Sequence, residues 1–221
     1  MSARTVTFVL VREGSSDEGL MPHLRALILR GGATEALGQA RDFAGTPASK
    51  LALLSREAAP TDIVFVHRDA DKAGSDVRRS EIARAAASSS LAAVVVPVVP
   101  VQELEAWLLT DEAAIRSVVG RPNGATDLGL PRISAIESTS SPKEILQFAL
   151  LAASQTSGRR REQEKRDFHK RRRTLLDRLD IDGPVRQLPA WRQLEHDVAT
   201  AVASLRTSWA QAGRYSRNDS R

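Results

Sequence analysis

The chain has 221 residues, a net charge of +5, 42% hydrophobic but only 4% aromatic residues, and no cysteine. That is enough apolar material for one domain of ordinary size, or one domain with a helical extension, with a core of aliphatic side chains and alanine. The absent cysteine excludes disulfides, thiolate zinc sites and cysteine nucleophiles, and no apolar run approaches a membrane span.

Thr5–Val11 (TVTFVLV) is continuous and β-branched, the pattern of a strand buried on both faces. The apolar part of this run is too short for a signal-peptide core, and together with the lack of cysteine it leads us to expect a cytoplasmic protein. Leu20, Leu24, Leu27 and Ile28 recur at helical spacing, which predicts a helix from Asp17 to Leu29 capped by Ser15 or Ser16. Residues 31–46 hold four glycines and no clean period, so a strand there cannot be placed. Pro47–Glu57 reads as a helix with proline near its start. Asp62–His67 (DIVFVH) and Ala92–Val98 (AAVVVPV) read as two more buried strands, separated by a polar loop and an alanine-rich helix, Asp76–Ala87. Helical segments are expected at Glu103–Leu109 and Asp111–Val119. Strand and helix thus alternate over the first 120 residues, which predicts an α/β fold: a Rossmann-like, mostly parallel sheet with helices on both faces.

Residues 120–141 read as a loop. Ser141-Pro142-Lys143-Glu144 then starts a helix, with serine as cap, proline first and glutamate third, running to about Ala153. Residues 159–173 (RRREQEKRDFHKRRR) hold nine basic and three acidic residues, so the positive charge is local. Helix is expected there from Glu162 to Leu179, with an i,i+4 pair between Glu162 and Arg166. An amphipathic helix is expected over Pro189–Trp209, with Leu194, Val198, Val202 and Leu205 on one face. The predicted organisation is a metal-binding domain at 1–120, a helical extension at 121–212 and a polar tail at 213–221.

Ligands of open α/β sheets bind at the carboxyl ends of the strands. Each legible strand end here is followed by acids: Glu13 and Asp17, then Asp69 and Asp71, then Glu103 and Glu105. Such a cluster repels itself unless a divalent cation sits in it, and oxygen ligands favour Mg²⁺ or Mn²⁺. In an extended strand the side chains of Asp69 and Asp71 point the same way and can reach one ion or two adjacent ones, a device that organises phosphoryl transfer.

These residues resemble the Toprim domain of topoisomerases, bacterial primases and the nuclease parts of OLD-family proteins, in which Glu-Gly follows the first strand and Asp-x-Asp a later one. Glu13-Gly14 and Asp69/Asp71 occupy those places. The whole chain is similar to an uncharacterised bacterial Toprim-related family through VREGSSDE (Val11–Glu18), HRDADK (His67–Lys72), VVPVQELEAWLL (Val98–Leu109), PKE (Pro142–Glu144) and LPAWRQL (Leu188–Leu194). The resemblance implies a Mg²⁺-dependent nuclease. Asp69 and Asp71 would be metal ligands, Glu13 a ligand or general acid/base, Asp17 a further ligand, and Glu105, or less well Glu103, would complete the set. It also implies a defence role beside an ABC/OLD-type ATPase, with self-association left open.

Each residue also has a plain structural reading. Glu13 can pair with Arg12, and Asp69 and Asp71 can be turn residues. Asp17 and Glu105 can serve first helical turns. His67 reads as a hydrogen-bonded structural histidine and Trp107 as core. The arginines Arg159, Arg160, Arg161, Arg171, Arg172 and Arg173 make either a solvated helix face or a phosphate-backbone contact, with Arg78, Arg79 and Arg84 near the acids to help. The alternative to an enzyme is a non-catalytic regulatory or interaction subunit of an ATPase complex with a vestigial or structural metal site. A phosphoaspartate receiver lacks its acidic pair after the first strand. A covalent topoisomerase would have only Tyr215, in the tail.

Overall fold

The computed structural model describes residues 5–57 and 59–218, with side chains through residue 211. Strands β1 (Thr5–Val11), β2 (Glu35–Arg41), β3 (Ile63–His67) and β4 (Val94–Val98) form a parallel sheet in the order β2-β1-β3-β4. The α/β class read from the sequence is therefore the fold. β3 is buried along its whole length, as its unbroken apolar run requires.

β2 lies in the stretch whose pattern was illegible. Its sequence EALGQAR buries only Ala36 well, because it pairs with β1 alone at the edge of the sheet. Gly38 breaks the alternation for a packing reason: a Cβ there would run into the ring of Phe8 on β1.

The helices are α1 (Met21–Arg30), α2 (Pro47–Leu54), α3 (Ser75–Ala87), α4 (Glu105–Leu108), α5 (Glu112–Val118), α6 (Ile133–Ile136), α7 (Pro142–Ser154), α8 (Gly158–Arg166), α9 (Phe168–Asp177) and α10 (Pro189–Asn218). On one face of the sheet, Val9, Val11, Val64 and Val66 pack with Leu51 and Leu54 of α2 and Ile82 and Ala85 of α3. On the other face, Val6, Phe8, Leu10, Phe65 and Val96 share a core with α1 and with helices from beyond residue 120. α10 lies against β4 and α1. Trp107 of α4 meets Trp191 of α10 edge to face, with ring centroids 4.9 Å apart and both rings fully buried.

Several ends differ from expectation. The helix foreseen from Asp17 is a 3₁₀ segment, Ser15–Leu20, followed by α1. Pro22 belongs in a first turn, since inside a longer helix its ring would clash with the carbonyl four residues back. Asp111 caps α5 through a bond from the Ala114 N–H at 2.9 Å. Ser141 stands at the start of α7 but its side chain does not cap it. The basic stretch is two helices that break at Asp167. α10 runs on through Asn218, so residues 213–218, including Tyr215, are helical backbone; residues 219–221 of the expected tail lie outside the described residues. Among the described residues no helix is long and apolar enough to cross a membrane.

Candidate functional site

From β1 the chain moves out to β2 and returns to β3 on the other side of β1, so the ends of β1 and β3 flank the reversal of strand order. Glu13 follows the end of β1, and Asp69 follows the end of β3. The N–H of Asp69 donates to Glu13 Oε2 at 2.8 Å. The N–H of Leu104, in the loop after β4, donates to Asp69 Oδ1 at 3.1 Å. Glu103 of that same loop accepts the N–H of Lys143, at the start of α7, at 3.1 Å. Glu103 thus satisfies the helix end that Ser141 was expected to cap, a position where the helix dipole favours an acid. Three carboxylates are each held by one main-chain donor from another segment. Among the described residues, Asp69 and Glu103 each keep a second oxygen with no hydrogen bond or ion pair.

Behind them lies a buried ionic layer. Asp17, His67, Glu105 and Arg172 are 5%, 1%, 4% and 6% exposed. Arg172, from α9, donates through Nε to Glu105 Oε1 at 2.7 Å and through Nη2 to Asp17 Oδ1 at 3.3 Å. His67 sits between two acids, with Nδ1 3.2 Å from Asp17 Oδ2 and Nε2 3.4 Å from Asp69 Oδ1. Neither ring nitrogen has a fully aligned hydrogen bond, yet both acids lie within hydrogen-bonding distance of the ring. Burial alone would push the imidazole down; Asp17 and Asp69 outweigh it and hold its pKa at about 9. Burial would likewise raise Asp17, but His67, Arg172 and the Gly14 N–H bring it to about 2. His67 is buried, as expected of a structural ring, but without a fully aligned hydrogen bond.

Asp71 is not part of this assembly. β3 ends at His67 and the chain turns, so the alternation expected of an extended Asp-x-Asp does not hold. Asp71 adopts φ 47° and its N–H donates to the carbonyl of Gln102, itself at φ 61°. Its carboxylate points out to Arg78 at 3.4 Å.

The acids open on a cleft of about 230 Å³ whose walls include Glu13, Asp17, Asp69, Glu103, Glu105, Lys143, His169 and Arg172. Lys143 was read from the sequence only as part of a helix start and the PKE motif, and His169 only as part of the basic stretch, neither as a site residue. Lys50 is a further addition: buried on α2, it donates from Nζ to the Arg12 carbonyl at 2.7 Å and anchors the end of β1. A larger hollow of about 590 Å³ lies between α3, β4 and α10, but its charged groups Arg79 and Asp197 are spent on each other at 2.7 Å.

No protein family, curated protein or solved structure matches the chain.

The six arginines separate. Arg159, Arg160 and Arg173 are exposed and Arg161 is partly so. Arg171 is tied to Glu164 at 3.1 Å and to the Val118 carbonyl. Arg172 is inside the fold, so it is not part of an open basic face. Arg78 pairs with Asp71 and Glu81, and Arg79 with Asp197. Glu162 pairs with Lys165 at 2.8 Å, one position short of the partner expected.

Among the described residues, no three His, Asp or Glu side chains stand close enough to hold a metal ion by themselves. Mg²⁺ does not demand such a cage: it keeps several waters and binds through one or two carboxylates plus a substrate phosphate. The donor chemistry suits it, since Glu13 and Asp69 are one hydrogen bond apart and Asp69 keeps an unpaired carboxylate oxygen. Burial, with repulsion from Glu105 and Asp69, pushes the Glu103 carboxyl above its ordinary range.

Proposed function

We propose that this protein is a Mg²⁺- or Mn²⁺-dependent phosphodiester hydrolase of nucleic acid, with Glu13 and Asp69 holding the ion and Glu103 across from them. The observation that carries this reading is the pairing of Glu13 with the Asp69 main chain at the reversal of strand order. The chemistry such an ion supplies is polarisation of a phosphoryl oxygen and acidification of an attacking water. Glu103, its carboxyl raised by burial and neighbouring acids, is suited to hand on a proton at the cleft. Lys143 and His169 line the cleft and are the groups that would meet a phosphate there. Arg159, Arg160, Arg161 and Arg173 supply non-specific backbone contacts. The Toprim resemblance is the support for a bacterial defence role with an ABC/OLD-type ATPase partner.

The internal neutralisation of Asp17 and Glu105 by Arg172 favours a second reading, a non-catalytic subunit of such a complex with a structural or vestigial site. One set of measurements separates the two: calorimetric titration with Mg²⁺ and Mn²⁺, with cleavage of plasmid DNA and tRNA on the same samples. The hydrolase reading expects Asp69→Asn to abolish cleavage and to weaken binding by at least the roughly tenfold that loss of even a supporting group costs. Asp71→Asn leaves both within about twofold. Binding without cleavage, alone and with the ATPase, would favour the non-catalytic subunit. No binding at millimolar metal would end the metal assignment.

A further inference from the structure

Resting on this metal reading, we propose that Arg172 takes the place of a second divalent cation, so that the cleft holds one ion and not two.

Five carboxylates, Glu13, Asp17, Asp69, Glu103 and Glu105, border the cleft. Such a number would ordinarily suggest a pair of metals. The hydrogen bonds divide them into two groups. Asp17 has nothing left to give: Oδ1 faces Arg172 Nη2 and Ser16 Oγ, and Oδ2 faces the Gly14 N–H and His67 Nδ1. A carboxylate offers about four lone-pair sites, and all of them are directed at protein groups. Glu105 comes from a different strand end and gives Oε1 to the same guanidinium. Arg172 therefore bridges two acids from two segments, the 3₁₀ turn after β1 and the start of α4, as a shared metal would, but with a planar cation that never loses its proton.

Displacing it would strand a guanidinium in a site where it is 6% exposed, with both of its carboxylate partners lost. Among the described residues, Asp69 and Glu103 also have an oxygen without a hydrogen bond or ion pair, as Glu105 has in Oε2, but unlike Asp17 and Glu105 they carry no guanidinium. Arg172 touches neither the ion nor the substrate in this arrangement; it is a positioning residue that fixes the number of ions.

The test is Mn²⁺ stoichiometry, read by calorimetry and by electron paramagnetic resonance of free Mn²⁺, on the full chain. We expect one Mn²⁺ per wild-type chain. Arg172→Met keeps the apolar stem and frees Asp17 and Glu105, and should bind a second Mn²⁺. Glu105→Gln still accepts a bond from Arg172 and should hold the single ion within about twofold of wild type; this variant decides the matter if Arg172→Met does not fold by circular dichroism. Two Mn²⁺ on the wild type would overturn the proposal while leaving a metal site standing. So would a folded Arg172→Met that still binds one, or a tenfold loss of affinity in Glu105→Gln. A wild type that binds none overturns the metal reading itself, and this proposal with it.

Discussion

His67 ties the charge of the site to the stability of the fold. In the unfolded chain it titrates near 6.5 and in the fold near 9, so its pairing stabilises the fold fully below pH 6.5 and is lost as pH rises through 9. Asp17 works in the opposite sense: from 3.8 unfolded to about 2 folded, it contributes above pH 3.8 and loses that contribution as pH falls through 2. Both contributions are present together between about pH 4 and 6.5. The urea midpoint of the chelator-treated protein should therefore fall from pH 6 to pH 9.5, by a stability loss on the order of 3 kcal/mol. A flat midpoint over that range would show that the buried ring is neutral in the fold. At this scale the sequence was partly legible. Strand ends are where acids gather, and Glu13, Asp17, Asp69, Glu103 and Glu105 do border one cleft. What could not be read was the cation among them: Arg172 lies 155 residues from Asp17, inside a run of arginines that looks uniform. Asp71 stands apart from the cleft because alternation applies only while the strand lasts, and β3 stops at His67.

Among the elements, α8 and α9 divide the basic segment by task. α8 has no buried residue and no apolar side chain, so packing does not stabilise it. Arg159 and Arg160 on it, with Arg173 on α9, point into solvent. Changing these three to alanine should flatten the salt dependence of nucleic-acid binding by up to about 3 in log–log slope and leave stability within about 0.5 kcal/mol. An unchanged slope would remove the basic segment from the binding surface. Arg172→Ala belongs to the other task and should destabilise by about 3–5 kcal/mol, because it leaves Glu105 buried without its cation and takes one of two cationic partners from Asp17. Comparison of urea midpoints checks that contrast. β1, β3 and β4 were readable because each is written as a continuous apolar run, even though β4 is an edge strand with only Val96 and Val98 well buried. β2 was not, because its residues are mostly exposed and its glycine serves the ring of Phe8.

For the whole molecule, the core that covers one face of the sheet runs from Val6 to Val202. The boundary at residue 120, read from the end of the strand–helix alternation, lies within this core. Trp107 would lose Trp191, and Phe8, Leu10 and Val96 would lose the helices that shelter them. A fragment of residues 1–120 should therefore be insoluble or lack dispersed amide resonances, while the full chain unfolds in a single urea transition. A soluble fragment with native-like dispersion would show that the sheet and its first helices suffice.

The bonds that hold the cleft's acids have a further consequence for how such a protein can change over time. Glu13, Asp69 and Glu103 are steadied by the amides of Asp69, Leu104 and Lys143, and any amino acid except proline brings that amide with it. The supports are therefore silent in the genetic text. Leu104 answers to the core and Lys143 to the rim of the cleft, and neither side chain is needed for the grip. Descendants could replace both and keep the geometry, provided the acids stay and no proline arrives. What passes down the generations as a recognisable mark is then a few well-separated carboxylates, with the scaffolding that aims them left free to be rewritten.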